Sequence, residues 1–190
     1  MRILGIDPGL ASTGVGVITD EGAEAGRWRV LAHDDVRTAA AVPMAERLAA
    51  IHRLVTETVA EYRPDVASVE AVFFAKNVRS AILMAHGRGV ALLAAAQGGA
   101  EIREFSALEI KQSVVGKGRA SKEQVMLMVR TLLDLEALPP SDHQADALAC
   151  ALAHAYRSRL VERLNAAGGV EANAGAKALL AQARRGRRRR

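Results

Sequence analysis

The sequence predicts a single α/β domain built on a mixed five-stranded sheet, and three observations carry that prediction. The first 33 residues hold three short apolar runs separated by turn residues, as consecutive hairpin strands require. Beyond them the apolar pattern alternates between helical spacing and the short continuous run of a buried strand. The last two apolar stretches are both helical, so the order is three strands, then helix, strand, helix, strand, helix and helix. That order fits helices flanking a mixed sheet, and fits neither a bundle nor a sandwich.

Each element has its own signal. Arg2–Asp7 is an apolar run stopped by Pro8-Gly9, Gly14–Thr19 reads GVGVIT, and Trp28–His33 follows the Glu21-Gly22 turn. Pro43–Tyr62 is a helix, because Met44, Leu48, Ile51, Val55, Val59 and Tyr62 recur at three- and four-residue spacing and Pro43 suits a first-turn position. Val66–Glu70 (VASVE) is a short strand after Arg63-Pro64-Asp65. Val78–Ala96 is a long Ala- and Leu-rich helix, and Glu101–Phe105 is the last strand. Lys122–Leu135 and Asp142–Tyr156 are helices, opened by the capping-box patterns Ser121-x-x-Gln124 and Ser141-x-x-Gln144. From about Leu160 the composition turns to Ala, Gly and charge, so residues 1–164 are expected to form the domain and 165–190 a flexible basic tail.

Composition narrows the class. Of 190 residues, 50% are apolar and 25% charged, enough to bury a core. The chain has no uncharged apolar run long enough to span a membrane, and MRILGIDPG lacks the apolar region of a signal peptide. The single cysteine, Cys150, excludes a disulfide framework and a cysteine-based zinc site; Cys150 and Trp28 are expected in the core. These features point to a cytoplasmic protein without a membrane partner. The net charge of +5 comes from RRGRRRR at the C-terminus, since without those six arginines 20 basic residues face 21 acidic ones. Any polyanion site in the body therefore depends on local clustering.

Such clustering surrounds a set of acids. Asp7 ends the first strand, Glu70 ends the fourth, and His143 and Asp146 share a face in the first turns of the last long helix. Groups at the ends of neighbouring strands converge where ligands of α/β sheets bind. Together they are expected to hold two divalent ions that clamp a phosphodiester. Taken singly, each has a structural alternative: Asp7 opens an Asp-Pro-Gly turn, Glu70 is a strand-end charge, and the capping box explains the acidic first turn. The combination is what points to chemistry. Imidazole favours Mn²⁺ over Mg²⁺, so Mn²⁺ is the expected preference, with activity falling as pH drops through about 6–7 and His143 protonates.

The segments ILGIDPGLASTGVGV, VASVEAVFFAKNVRSA and DHQADALACALAH resemble the three active-site segments of RuvC, the bacterial Holliday junction resolvase family, and LEIKQSVVGKGRASKEQVMLMV resembles a fourth block. The resemblance runs in order from about Met1 to Tyr156. It implies a ribonuclease H-like fold and the acidic tetrad Asp7, Glu70, His143 and Asp146, where His143 replaces the family's more usual aspartate. Asp142 points about 100° away on the helix, which counts against it as a substitute ligand. The resemblance also implies a homodimer on a four-way junction, nicks in two strands of like polarity leaving 5′-phosphate and 3′-hydroxyl ends, and RuvA and RuvB as partners. The small residues of Val78–Ala96 make that helix the expected dimer surface.

Two further groups fit junction binding. Phe73 and Phe74 follow Glu70, and because adjacent rings cannot point the same way, one is expected to stack on an unpaired base. Lys76, Asn77, Arg79 and Arg88 come next, and Lys111, Lys117, Arg119 and Lys122 flank Gly116–Gly118, with Glu109 the one nearby acid. The seven cations are expected to neutralise phosphates and Asn77 to contact the DNA beside them, with Lys111 and Lys122 matching family lysines beside the scissile phosphate. The Arg-rich tail is expected to add nonspecific DNA binding. An actin-like ATPase, another nuclease of the same fold and a junction-binding module without metals are the competing readings. The chain lacks the second acid–glycine loop and the length of the first.

Overall fold

The computed structural model describes residues 1–24, 26–71 and 78–166, apart from the side chains of Arg79 and Ala166. Met1–Ala155 forms one compact unit. Its strands are β1 (Arg2–Asp7), β2 (Ser12–Thr19), β3 (Arg29–Arg37), β4 (Val66–Ala71) and β5 (Glu101–Ser106), in the order β3-β2-β1-β4-β5. The pairs β1–β2 and β2–β3 are antiparallel, and β1–β4 and β4–β5 are parallel. The helices are α1 (Met44–Tyr62), α2 (Val78–Gln97), α3 (Ala107–Val115), α4 (Lys122–Leu132) and α5 (Asp142–Ala166).

The two faces of the sheet separate by strand parity. Leu4, Ile6, Val15, Val17, Ala67 and Val69 pack with Ile51 and Val55 of α1 and Ala91, Ala94 and Ala95 of α2. The opposite face receives α5. From Ala145 to Ala155 all but two of its residues are buried, so this stretch reads as apolar nearly all round. It sits very close to the strands because Gly5 and Gly14 have no Cβ. A Cβ on Gly5 would overlap the carbonyl oxygen of Ala147, and one on Gly14 would overlap that of His143. Ser68, beside Gly5 in register, donates its hydroxyl to Cys150 O at 2.6 Å. Trp28 and Cys150 are both buried, as expected.

Several boundaries differ from the sequence reading. β2 starts two residues earlier, at Ser12, and β3 runs on to Arg37. The polar tail of β3, HDDVR, still pairs because it lies on an edge strand with one face to solvent. Pro43 is the N-cap of α1 and not its first turn. The apolar spacing predicts no helix over Ala107–Val115, yet α3 forms there, with Ser106-x-x-Glu109 as a complete capping box at its start. Helix α4 stops at Leu132, just before Asp134 adopts a left-handed φ of 51°. The alanines of α2 that argued for a dimer seam partly face the core instead, since Ala91, Ala94 and Ala95 are buried.

Candidate active site

Sheet register brings the first two acids together. Ile6 pairs with Val69 across the parallel β1–β4 ladder, so Asp7 and Glu70 follow side by side at the C-terminal ends of their strands. Both share parity with Gly5 and Ser68, and so face α5. The first turns of α5 bring His143 and Asp146 to the same place. His143 Nδ1 lies 2.7 Å from Asp7 Oδ2. Lys122, the first residue of α4, reaches across with Nζ 3.1 Å from Asp146 and 3.2 Å from Asp142.

A cleft of about 210 Å³ opens here, lined by Glu70, Asp146, Lys111 and Lys122 with Ala107, Ile110, Val125 and Ala149. Lys111 is on α3 and Lys122 on α4, so two consecutive capped helices supply its basic wall. Lys117 and Arg119 are exposed on the loop between them.

The electrostatics record crowded negative charge. Burial raises the pKa of Glu70, and the Asp7 and Asp146 carboxylates push it further, to about 7, against the pull of Lys111 and Lys122. Burial likewise raises Asp146, with Asp7 adding to the effect and the Lys122 hydrogen bond opposing it. His143 is raised, first by its hydrogen bond to Asp7, against burial. Burial alone would lower Lys122, but bonds to Asp146 and Asp142 outweigh it and keep the ammonium charged.

Three carboxylates and an imidazole form a donor set suited to a divalent cation. Burial first, and then repulsion from Asp7 and Asp146, raise the pKa of Glu70, and a bound cation would offset both. Among the described residues, no three His, Cys, Asp or Glu side chains already stand close enough to enclose an ion. Instead the cationic side chain of Lys122 and the imidazole of His143 answer the acids directly.

Some expected partners are arranged differently. Arg88 is not free for phosphate, because it pairs with Glu104 and its Nε lies 3.4 Å from Glu70 O. Glu109 is therefore not the one acid near the basic block: Glu104, Asp142 and Asp146 also take its cations. Gln144 does not complete the capping box of Ser141 but turns to Asp35 and His33 on β3. Phe73, Phe74, Lys76 and Asn77 lie outside the described residues, as do the side chain of Arg79 and residues 167–190 of the basic tail.

The family model for crossover junction endodeoxyribonuclease RuvC matches residues 3–154. The chain belongs to the RuvC family. Its crossover junction endodeoxyribonuclease relative from Bordetella avium is 48% identical over 165 residues, 87% of this chain and 89% of that protein. The relative from Ruminiclostridium cellulolyticum is 44% identical over 160 residues, covering 84% and 95%. The Thermus thermophilus RuvC structure superposes with a TM-score of 0.77 at 38% identity, over 84% of this chain and 96% of that one. The same protein in complex with Holliday junction substrate gives 0.78. The yeast mitochondrial resolvase Ydc2, at 12% identity and a TM-score of 0.60, shares the fold alone. The five-stranded mixed sheet is thus ribonuclease H-like, and the chain is an endonuclease of a metal-dependent family.

Proposed function

We propose that the chain resolves Holliday junctions in recombination and repair by paired, symmetric nicks in strands of like polarity. The observation that carries this reading is the convergence of Asp7, Glu70, His143 and Asp146, from β1, β4 and α5, beside a cleft walled by Lys111 and Lys122. The four would hold two divalent ions, which supply an activated water and offset charge on the phosphodiester. Water attacks phosphorus and the P–O3′ bond breaks, leaving a 5′-phosphate and a 3′-hydroxyl. Lys122 exchanges its bond to Asp146 for the scissile phosphate, where its ammonium stabilises the developing charge. Lys111 lines the same cleft and adds a second positive charge beside that phosphate, while Lys76, Asn77, Arg79, Lys117 and Arg119 hold flanking phosphates.

The working form is a homodimer, with one site per cut strand and RuvA and RuvB as cellular partners in the cytoplasm. Among the described helices none is long and apolar enough to cross a membrane. On α2, Ile82, Ala85, Gly89, Leu93 and Ala96 follow helical spacing; all are exposed or nearly so, which supports that face as the dimer seam.

The direct test is cleavage of a synthetic four-way junction against matched duplex and single strand, with Mg²⁺ or Mn²⁺. Paired nicks in the junction alone are expected. Binding without nicks in either metal would instead favour a junction-binding module. Mn²⁺ is expected to support faster cleavage than Mg²⁺, and His143→Asp to narrow the gap, because it replaces nitrogen by hard oxygen. Equal wild-type rates with both metals would contradict His143 as a ligand. Phe73→Ala is expected to slow junction cleavage about 5- to 150-fold with the fold intact, the worth of one base stack. Wild-type cleavage by that variant would remove Phe73 from the DNA contact.

A further inference from the structure

We propose that Asp35 and Gln144 are positioning residues for the metal site, locking the first turn of α5 onto strand β3. The inference rests on the reading of His143 and Asp146 as metal-holding groups and names what keeps them in place.

Three of the described helices open with Ser-x-x-Glu or Ser-x-x-Gln. At Ser106/Glu109 and Ser121/Gln124 the side chain three residues on turns back to the cap and closes a reciprocal box. At Ser141/Gln144 it does not. Ser141 Oγ still accepts from Gln144 N at 3.2 Å, but the Gln144 amide leaves its own helix. Its Nε2 donates to Asp35 Oδ1 at 2.5 Å, and its Oε1 lies 2.6 Å from His33 Nδ1. Because the amide oxygen can only accept, His33 Nδ1 carries the proton. Asp35 Oδ1 also accepts the Ser141 hydroxyl at 3.0 Å, and Oδ2 accepts from Arg37 Nε at 3.0 Å. Gln144 is buried, and the side chain of Asp35 is 10% exposed.

Helix α5 has thus kept the Ser141 cap and exchanged the return bond of the box for a tertiary anchor, at the end that carries the site. Asp35 pairs in register with Gly14, the residue whose missing Cβ lets the His143 backbone rest on β2. The anchor and the close approach together set both the height and the rotation of the turn. His143 precedes Gln144 and Asp146 follows two residues later, so a shift of this turn moves the His143–Asp7 and Asp146–Lys122 contacts together. A displacement of about 1 Å at reacting groups lowers rates by as much as 10²-fold.

The test reverses the polarity of the anchor in the full-length protein. Gln144→Glu sets two carboxylates against each other, and the double variant Asp35→Asn/Gln144→Glu restores a donor–acceptor pair at wild-type net charge. Mn²⁺ affinity of the DNA-free protein, single-turnover cleavage and junction Kd are measured for each. Gln144→Glu is expected to weaken Mn²⁺ binding and slow cleavage about 10- to 100-fold, with junction Kd changed less than about threefold. The double variant is expected to recover both to within about threefold. No recovery in a folded double variant would overturn the inference. Should Gln144→Glu fail to fold, the uncharged Gln144→Met carries the test: slowed cleavage with weakened Mn²⁺ binding supports the anchor, and wild-type values overturn it. Asp7→Asn is assayed alongside. If it cleaves normally, the metal-site reading itself fails; if it is inactive while Gln144→Met is wild type, the anchor alone fails.

Discussion

Asp7→Asn is expected to lose at least about 10³-fold in junction cleavage, and Glu70→Gln as much, while both bind the junction within about twofold of wild type. The loss corresponds to the several kcal/mol that a held cation contributes to transition-state charge. Asparagine keeps an oxygen for His143 and removes the negative charge at the end of β1, so the 2.7 Å contact survives while the donor is weakened. Glutamine at position 70 does the same at the end of β4. Binding is spared because the phosphate-facing groups, Lys111 and Lys117 among them, are not altered. Single-turnover cleavage and a gel-shift titration of the same preparations check both halves. Residual cleavage within tenfold of wild type would remove either acid from the site.

Cleavage at sub-saturating metal is expected to fall at least about tenfold from pH 8 to pH 6, and raising the metal concentration is expected to recover it. Glu70 in the metal-free site titrates near 7, because burial and the neighbouring Asp7 and Asp146 carboxylates favour its protonated form. Below that pH a cation must displace the proton, and apparent affinity falls about tenfold per unit. His143 is raised as well by its bond to Asp7, so a second proton must leave before the imidazole can ligate, which steepens the profile. The expectation from an isolated histidine, a decline through about 6–7, is therefore shifted upward and shared with a carboxylate. A flat profile between pH 5.5 and 8 would exclude both groups as ligands.

The same shift makes a stability prediction. The folded pKa of Glu70 exceeds its ordinary value of 4.5, so folded protein holds a proton that unfolded chain releases between 4.5 and about 7. Stability from this group is full below 4.5 and is lost as pH rises through 7. Glu70→Gln is thus expected to be more stable than wild type at pH 8, by on the order of 2 kcal/mol, and equal to it near pH 4. Urea unfolding at the two pH values measures the difference. A residue that lowers stability when ionised and is needed for cleavage is the usual signature of a functional site.

The strands and most helices are legible in the chain because their signals are local. GVGVIT alternates and is bounded by turns, and Met44 through Tyr62 repeats at helical spacing. Ser121 announces the start of α4 four residues ahead of its first buried side chain, Val125. Asp7 and Glu70 at strand ends, with His143 and Asp146 on one helical face, were legible for the same reason. Helix α3 carries an equally clear Ser106-x-x-Glu109 signal, but with nine residues and two buried side chains, Ile110 and Val114, it is too short for helical spacing to stand out.

What the tertiary structure alone decided is pairing across distance. The amide of Gln144 finds Asp35, 109 residues away, because the Cβ-free Gly14 brings α5 against β2 and so within reach of β3. Lys122 shares itself between Asp142 and Asp146, and Arg88 is taken by Glu104. The raised pKa of Glu70 exists only once β1, β4 and α5 have removed water from around three carboxylates. Residue spacing along the chain encodes which face a side chain takes. Which charge it meets there, and how strongly, depends on the separation and dielectric that packing creates.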